Sequence, residues 1–305
     1  MRLQLAHHKT AGFSLIELMI SLTIGMLIVL FVVSLYLGGR SSNRQQDDNS
    51  RMQEDGRTAM FLIGKSIKQA WYGQPTSYFI GGLRTDLQAP GLMGCDGGFS
   101  TPSNLGNATC ANAANAPAAL QLSYRVDNTP NPTLGIGTDC NNQQAAADAR
   151  GNLFVVNRFY LAKSNNADPF PSLMCAGNGN PTPQPVMQNV EDMVFTYGIN
   201  TTPNDDDRTA DMYTDSVAVA LQRSPASPGF PETGYPPLKD VVSVGVCLQI
   251  VSPNLTNPTK QTLVDCRGRS RTFEDKRMRL ILRNVFAVRN NSGTSLLAAR
   301  PAPAP

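Results

Sequence analysis

An apolar run at residues 13–37, broken by a single charge, constrains this 305-residue chain more than any other feature. Residues 9–18 read KTAGFSLIEL, and the charge is Glu17. As a helix the run would extend about 37 Å, enough to cross the hydrocarbon core of a bilayer. A carboxylate at that depth costs roughly 2.5–3.5 kcal/mol on insertion scales, so Glu17 calls for a functional reason. Arg2 and Lys9 precede the run. By the positive-inside rule they hold the near side in the cytoplasm and send the bulk of the chain across the membrane.

The order of the N-terminal segments is unusual. An ordinary secretory signal places its small-residue cleavage site after the apolar region. Here the small residue, Gly12, stands before it. Cleavage after Gly12 would leave a mature chain that begins at Phe13 and keeps its hydrophobic segment.

Histidine usage then limits the chemistry. The two histidines, His7 and His8, both fall before that bond. A chain starting at Phe13 therefore has no imidazole for a Ser–His–Asp or Cys–His nucleophile system, and the commonest metal ligand is missing. Carboxylate-only chemistry of the glycosidase kind stays formally open, but no recognisable acid pair supports it. The reading is a non-enzymatic protein without a cofactor. Formal net charge is +3 and falls to +1 without Arg2 and Lys9, so no nucleic-acid partner is indicated.

Six cysteines, Cys95, Cys110, Cys140, Cys175, Cys247 and Cys266, all follow the apolar run. None forms a CxxC pair, which disfavours zinc and thioredoxin-type readings. An even set in an exported domain reads as disulfides, and neighbours in sequence give Cys95–Cys110, Cys140–Cys175 and Cys247–Cys266. The third pair brackets two candidate strands around the turn-rich SPNLTNPTK. Free buried thiols are the alternative for the first two pairs.

Beyond residue 37 the helical pattern continues to about Trp71, with no proline before Pro75. Met52, Ala59, Met60, Ile63, Ile67 and Ala70 recur at three- and four-residue spacing and mark one apolar stripe, while Arg51, Glu54, Asp55, Arg57 and Lys65 take the other faces. Two helices hinged at Gly38–Gly39 are the alternative to one. Residues 118–126, 152–162, 185–200, 240–252 and 276–290 read as strands, with Met193, Phe195 and Tyr197 on one face. Much of 72–150 reads as loop. The expected architecture is α+β: a long N-terminal helix, membrane-spanning in its first half, packed on a mostly antiparallel sheet of about four to seven strands with long disulfide-stapled loops. The boundaries are a leader at 1–12, an apolar helix at 13–37, its amphipathic continuation at 38–72, a β domain at 73–293 and a Pro/Ala-rich tail at 294–305.

The stretch GFSLIELMISLTIG resembles the signature of type IV prepilins and type II secretion pseudopilins. The resemblance implies that Gly12 is the last leader residue and Phe13 the new, methylated N-terminus made by a prepilin peptidase. It implies that Glu17 meets the N-terminal amine of a neighbouring subunit during assembly, so that the carboxylate need not face lipid alone. Further along, NVEDMVFTYGIN, an acidic loop ending near Tyr213, VVSVGVCLQIVS and a final VFAVRN resemble the order found in PilW-type minor pilins. Either Arg283-Asn284 or Arg289-Asn290 fills the place of that family's terminal Arg-Asn. This likeness implies a pilin-like, non-catalytic subunit that enters a type IV pilus and helps to start its assembly. Its partners would be the major pilin, other minor pilins, the prepilin peptidase and the inner-membrane assembly machinery. Before assembly the chain would sit in the inner membrane with its C-terminal domain in the periplasm, and afterwards in the surface fibre. A minor pseudopilin of a type II secretion system and a pilus-borne adhesin or ligand-binding module are the alternatives.

The acidic loop supplies Asn204, Asp205, Asp206, Asp207 and Asp211, oxygen ligands of the kind calcium takes. It lacks the glycine and bidentate glutamate of an EF-hand. Calcium at Asp205, Asp207 and Asp211 and a merely solvated loop are the two readings.

Overall fold

The computed structural model describes residues 12, 14–72, 91–105, 109–111, 113, 116–126, 137–145, 153–163, 165, 168–201, 209–223, 241–257 and 259–290. Two compact units divide the chain, the first ending at Asp48 and the second beginning at Asn49.

Helix α1 (Leu15–Gln69) runs without a break for 55 residues. It passes through Gly38 and Gly39, so the hinged alternative is not realised. In the first unit the side chains of Leu15, Ile24, Leu30 and Leu37 and their apolar neighbours are all exposed. This is the one helix among the described residues long and apolar enough to cross a membrane. At its far end Trp71 takes a left-handed φ of 67° and stops the helix, and its N–H donates to the Ser123 carbonyl at 3.1 Å.

In the second unit the predicted stripe is the buried face of α1: Met52, Ala59, Met60, Ile63, Ile67 and Ala70 are all in the core. Full burial of side chains such as Ile63 contributes roughly 1.5–3 kcal/mol each. The stripe packs with apolar residues from two sheets into one cluster. That is a difference from the single sheet expected from sequence. One sheet holds β1 (Leu92–Cys95), β2 (Ala119–Val126), β3 (Leu153–Ala162), β4 (Ser172–Gly177) and β5 (Asn180–Met187), in that order. The other is ordered β11-β8-β6-β7, from β6 (Val190–Ile199), β7 (Met212–Thr214), β8 (Val241–Val251) and β11 (Arg279–Ala287). A separate ribbon pairs β9 (Gln261–Val264) with β10 (Ser270–Phe273), and a short helix α2 (Val217–Arg223) follows β7. All pairings are antiparallel.

Local sequence explains the faces. On β6 Met193, Phe195 and Tyr197 are buried, and on β8 Val244, Val246, Leu248 and Ile250 are. Each set has the period of two that turns alternate side chains to one face. On β11 Leu282 and Phe286 point toward α1. They approach so closely that a Cβ at Gly56 would meet Leu282 and Ile250, and one at Gly64 would meet the Phe286 ring. These two helical glycines are therefore seats for the sheet.

Candidate functional site

The stem begins at a helix N-terminus whose chemistry is written in SLIE, residues 14–17. Ser14 stands at the N-cap, its carbonyl accepting the first helical bond from Leu18 N–H at 3.1 Å. Glu17, three residues on, turns back so that Oε2 accepts the Ser14 N–H at 3.0 Å. This is the carboxylate half of a capping box, and the helix dipole favours a negative charge there. Gly12 is exposed, with nothing within 4 Å of where a Cβ would stand. Phe13 lies outside the described residues. Ser21 and Thr23 return their hydroxyls to the Glu17 and Ile20 carbonyls at 2.7 and 2.8 Å, which hides two polar groups inside an apolar segment.

The cysteines close as Cys95–Cys110, Cys140–Cys175 and Cys247–Cys266, and no described cysteine is free. Each bridge sits beside a buried polar anchor that sequence reading passed over. Next to the first, Arg158 is fully buried on β3. Its Nε donates to Gln121 Oε1 at 2.7 Å, its Nη1 to the carbonyls of Thr101, Pro102 and Asn104, and its guanidinium lies 4.0 Å from the Phe99 ring centroid. Burial pushes its pKa down to about 10. Beside the second bridge, Asp139 accepts N–H bonds from Asn141, Gln143 and Gly179, each at 2.9 Å. At the third, Asp265 accepts the Arg267 and Arg269 N–H groups at 2.9 Å and fixes the ribbon tip that carries Cys266.

The ribbon is also held by charge. Arg279 is buried on β11, paired with Glu191 at 2.8 Å and Asp275 at 2.8 Å, and stacked on Phe273. Desolvation works against the guanidinium, but the two carboxylates outweigh it and raise its pKa. Arg267 pairs with Asp192 at 3.0 Å. Only their partners, 75 and 88 residues upstream, show what these arginines do, and no sequence window contains both ends of either pair.

Of the two terminal Arg-Asn pairs, the second meets the helix. Asn290 Nδ2 donates to the carbonyls of Lys68 and Ala70 at 3.0 and 3.2 Å. Asn284 lies exposed on β11.

Of the calcium candidates, Asp205 and Asp207 lie outside the described residues. Asp211 Oδ2 accepts the Thr201 N–H and hydroxyl at 2.9 and 3.1 Å. No metal-competent cluster of three acidic, Cys or His residues occurs among the described residues.

Two family models match. Residues 7–33 match the prokaryotic N-terminal methylation motif, and residues 158–290 match PilW, the type IV pilus-assembly protein W. No curated protein and no solved structure matches the chain.

Proposed function

This chain is a type IV pilus pilin of the PilW type, and from that premise we propose that it is a minor pilin that enters the fibre and helps to start its assembly. The observation that carries the reading is the stem: a wholly exposed apolar helix face headed by one ordered carboxylate, Glu17, inside the methylation motif. Such a surface is stable only against lipid or other helices. It suits a subunit that waits in the inner membrane, with its β domain in the periplasm, and then joins a helical bundle.

The roles follow from that reading. A prepilin peptidase cleaves after Gly12 and methylates Phe13. Glu17 exchanges its hold on Ser14 N–H for the N-terminal amine of a neighbour, an ion pair formed where water is scarce and therefore strong. The disulfide-bonded domain offers its surface to the major pilin and to other minor pilins. No catalytic step is assigned to it.

The test is a strain lacking this chain, scored for sheared surface pili and for enzyme exported to the medium. The expected result is loss of pili with secretion intact, restored by the wild type and not by Glu17→Ala. Loss of secretion with normal pili would move the chain to the pseudopilins. The intact mass of the mature protein should correspond to a methylated chain starting at Phe13; a mass retaining residues 1–12 in cells with active peptidase refutes the processing.

A further inference from the structure

Four strand edges terminate the two large sheets, and three are closed to further pairing. β1 is buried along its whole length. β5 carries Pro181, Pro183 and Pro185 at every second position, so none of those residues has an N–H to offer. β7 is three residues long. Short strands and prolines are the usual ways of blunting an edge.

β11 is different. Val288 N–H donates to Val242 O and Ser252 N–H to Met278 O, both at 2.8 Å. In the antiparallel register this turns the even-numbered residues of β11 toward β8 and the odd-numbered ones outward. The outward groups at Arg279 are occupied, because the Gln261 side chain accepts its N–H at 2.7 Å and donates to its carbonyl at 2.9 Å. Beyond that point the edge is unpaired among the described residues. Arg283, Val285 and Ala287 are exposed, and among the described residues no backbone group pairs with their outward amides. The Val285 N–H is met only by the neighbouring Asn284 Oδ1 at 2.9 Å, a local bond that an incoming strand can replace. Val285 itself is 59% exposed.

Charge says what fits there. Residues 260–290 carry nine Lys and Arg against three Asp and Glu, and the balance stays positive when Glu191 and Asp192, the partners of Arg279 and Arg267, are included. Arg283 and Arg289, on and just after this edge, are exposed and have no carboxylate partner among the described residues; Arg283 Nη2 donates to the carbonyls of Asp265 at 2.6 Å and Val264 at 3.4 Å on the ribbon, so its charge is held beside the edge. Arg271 on the ribbon is exposed as well.

We propose that the edge of β11 from Arg283 to Ala287 accepts a short, extended, acidic strand from a different subunit of the same fibre. The inference rests on the pilin reading above and adds to it the place and chemistry of one partner contact. Main-chain bonds at 283, 285 and 287 supply affinity, and the arginines select against a basic strand.

The test uses the full-length chain in cells that lack the native copy. Val285→Pro removes the outward donor as the β5 prolines do, whereas Val285→Ala keeps it. Val285→Ala should give wild-type pilus yield, and Val285→Pro should cut it at least tenfold while the chain stays processed and its three disulfides form. If Val285→Pro misfolds, Ala287→Pro at the strand's last residue is scored instead. In parallel, a photo-crosslinking benzophenone amino acid at Ala287 of the otherwise wild-type chain should attach to another subunit bearing a methylated N-terminus, within a segment of net negative charge. Wild-type yield from the folded proline variant overturns the proposal, and so does the absence of an adduct. An adduct of twice the chain's own mass overturns it in favour of self-pairing. Normal pili in the deletion strain would instead refute the assembly function, independently of this edge.

Discussion

The side-chain amide of Asn290 lies 3.0 Å from the carbonyl oxygen of Lys68, so the residue just past the last strand caps the last turn of the first helix. Asn290→Ala leaves the Lys68 and Ala70 carbonyls short of a donor. We expect a loss of about 1 kcal/mol, the usual net worth of such a bond at a partly exposed site. Urea unfolding followed by Trp71 emission measures it, since Trp71 is the chain's only tryptophan and is buried beside the cap. Asn284→Ala should change the midpoint by less than about 0.5 kcal/mol.

Glycine replacements in α1 should act with opposite signs. Gly38 and Gly39 have open space around them, so alanine there stiffens the helix by up to about 1 kcal/mol each. At Gly64 a methyl group meets the Phe286 ring, and at Gly56 it meets Leu282 and Ile250. Gly64→Ala should destabilise the β domain by roughly 1–3 kcal/mol despite its better propensity. Thermal unfolding of the four single variants checks the contrast, and equal effects at all four would contradict the packing described.

Acid should weaken the ribbon. The Arg279 hydrogen bond holds the Asp275 carboxyl below its ordinary value of 3.8. Burial pushes Asp265 up, but the amides of Arg269 and Arg267 and the Arg269 guanidinium outweigh it, so its pKa is also lowered. A carboxyl depressed in the folded state contributes stability that is complete above its unfolded value and is lost as pH falls through the folded one. Urea midpoints should therefore be flat from pH 7 to about 5 and fall below about pH 4, with a shallower fall in Asp265→Asn.

Removal of the Cys247–Cys266 bridge by the double alanine variant should cost about 3 kcal/mol, the loop-entropy value for a closure of this length. Intact mass and a denaturant titration at neutral pH would show it. The ribbon should detach first, because its tip loses its covalent tie to β8 while the Arg279 cluster remains.

Much of this architecture was legible in the sequence because it rests on local period. The stripe from Met52 to Ala70 and the alternation at Met193, Phe195 and Tyr197 need no partner to be seen, and all of these residues are buried. The SLIE cap is a local signal as well, but the sequence reading did not use it. The β4–β5 hairpin was not legible: Pro181 and Pro183 lie outside every stretch that reads as strand, Pro185 reads as part of the strand that follows, and only an edge position makes a separate strand of them. The division into two sheets was hidden too. It depends on β8 choosing β6 and β11 as neighbours, a non-local choice that no window of sequence contains. Arg158 illustrates the same limit at the level of one residue. Nothing near it in the chain reveals the three carbonyls more than 50 residues upstream that make its burial tolerable.

The packing of α1 against β11 also fixes an order of events. The helix is synthesised first, yet the groups that close over Gly64 and cap Ala70 come at Phe286 and Asn290, separated from the cap by 220 residues. Until Phe286 and Asn290 have been made, the stripe from Met52 to Ala70 has no final strand to lie against, and the loop to be closed is long. A chain truncated before Phe286 would thus keep its apolar helix but lack the strand that closes on the stripe. The fold thereby makes closure of the domain a report on the presence of its last strand.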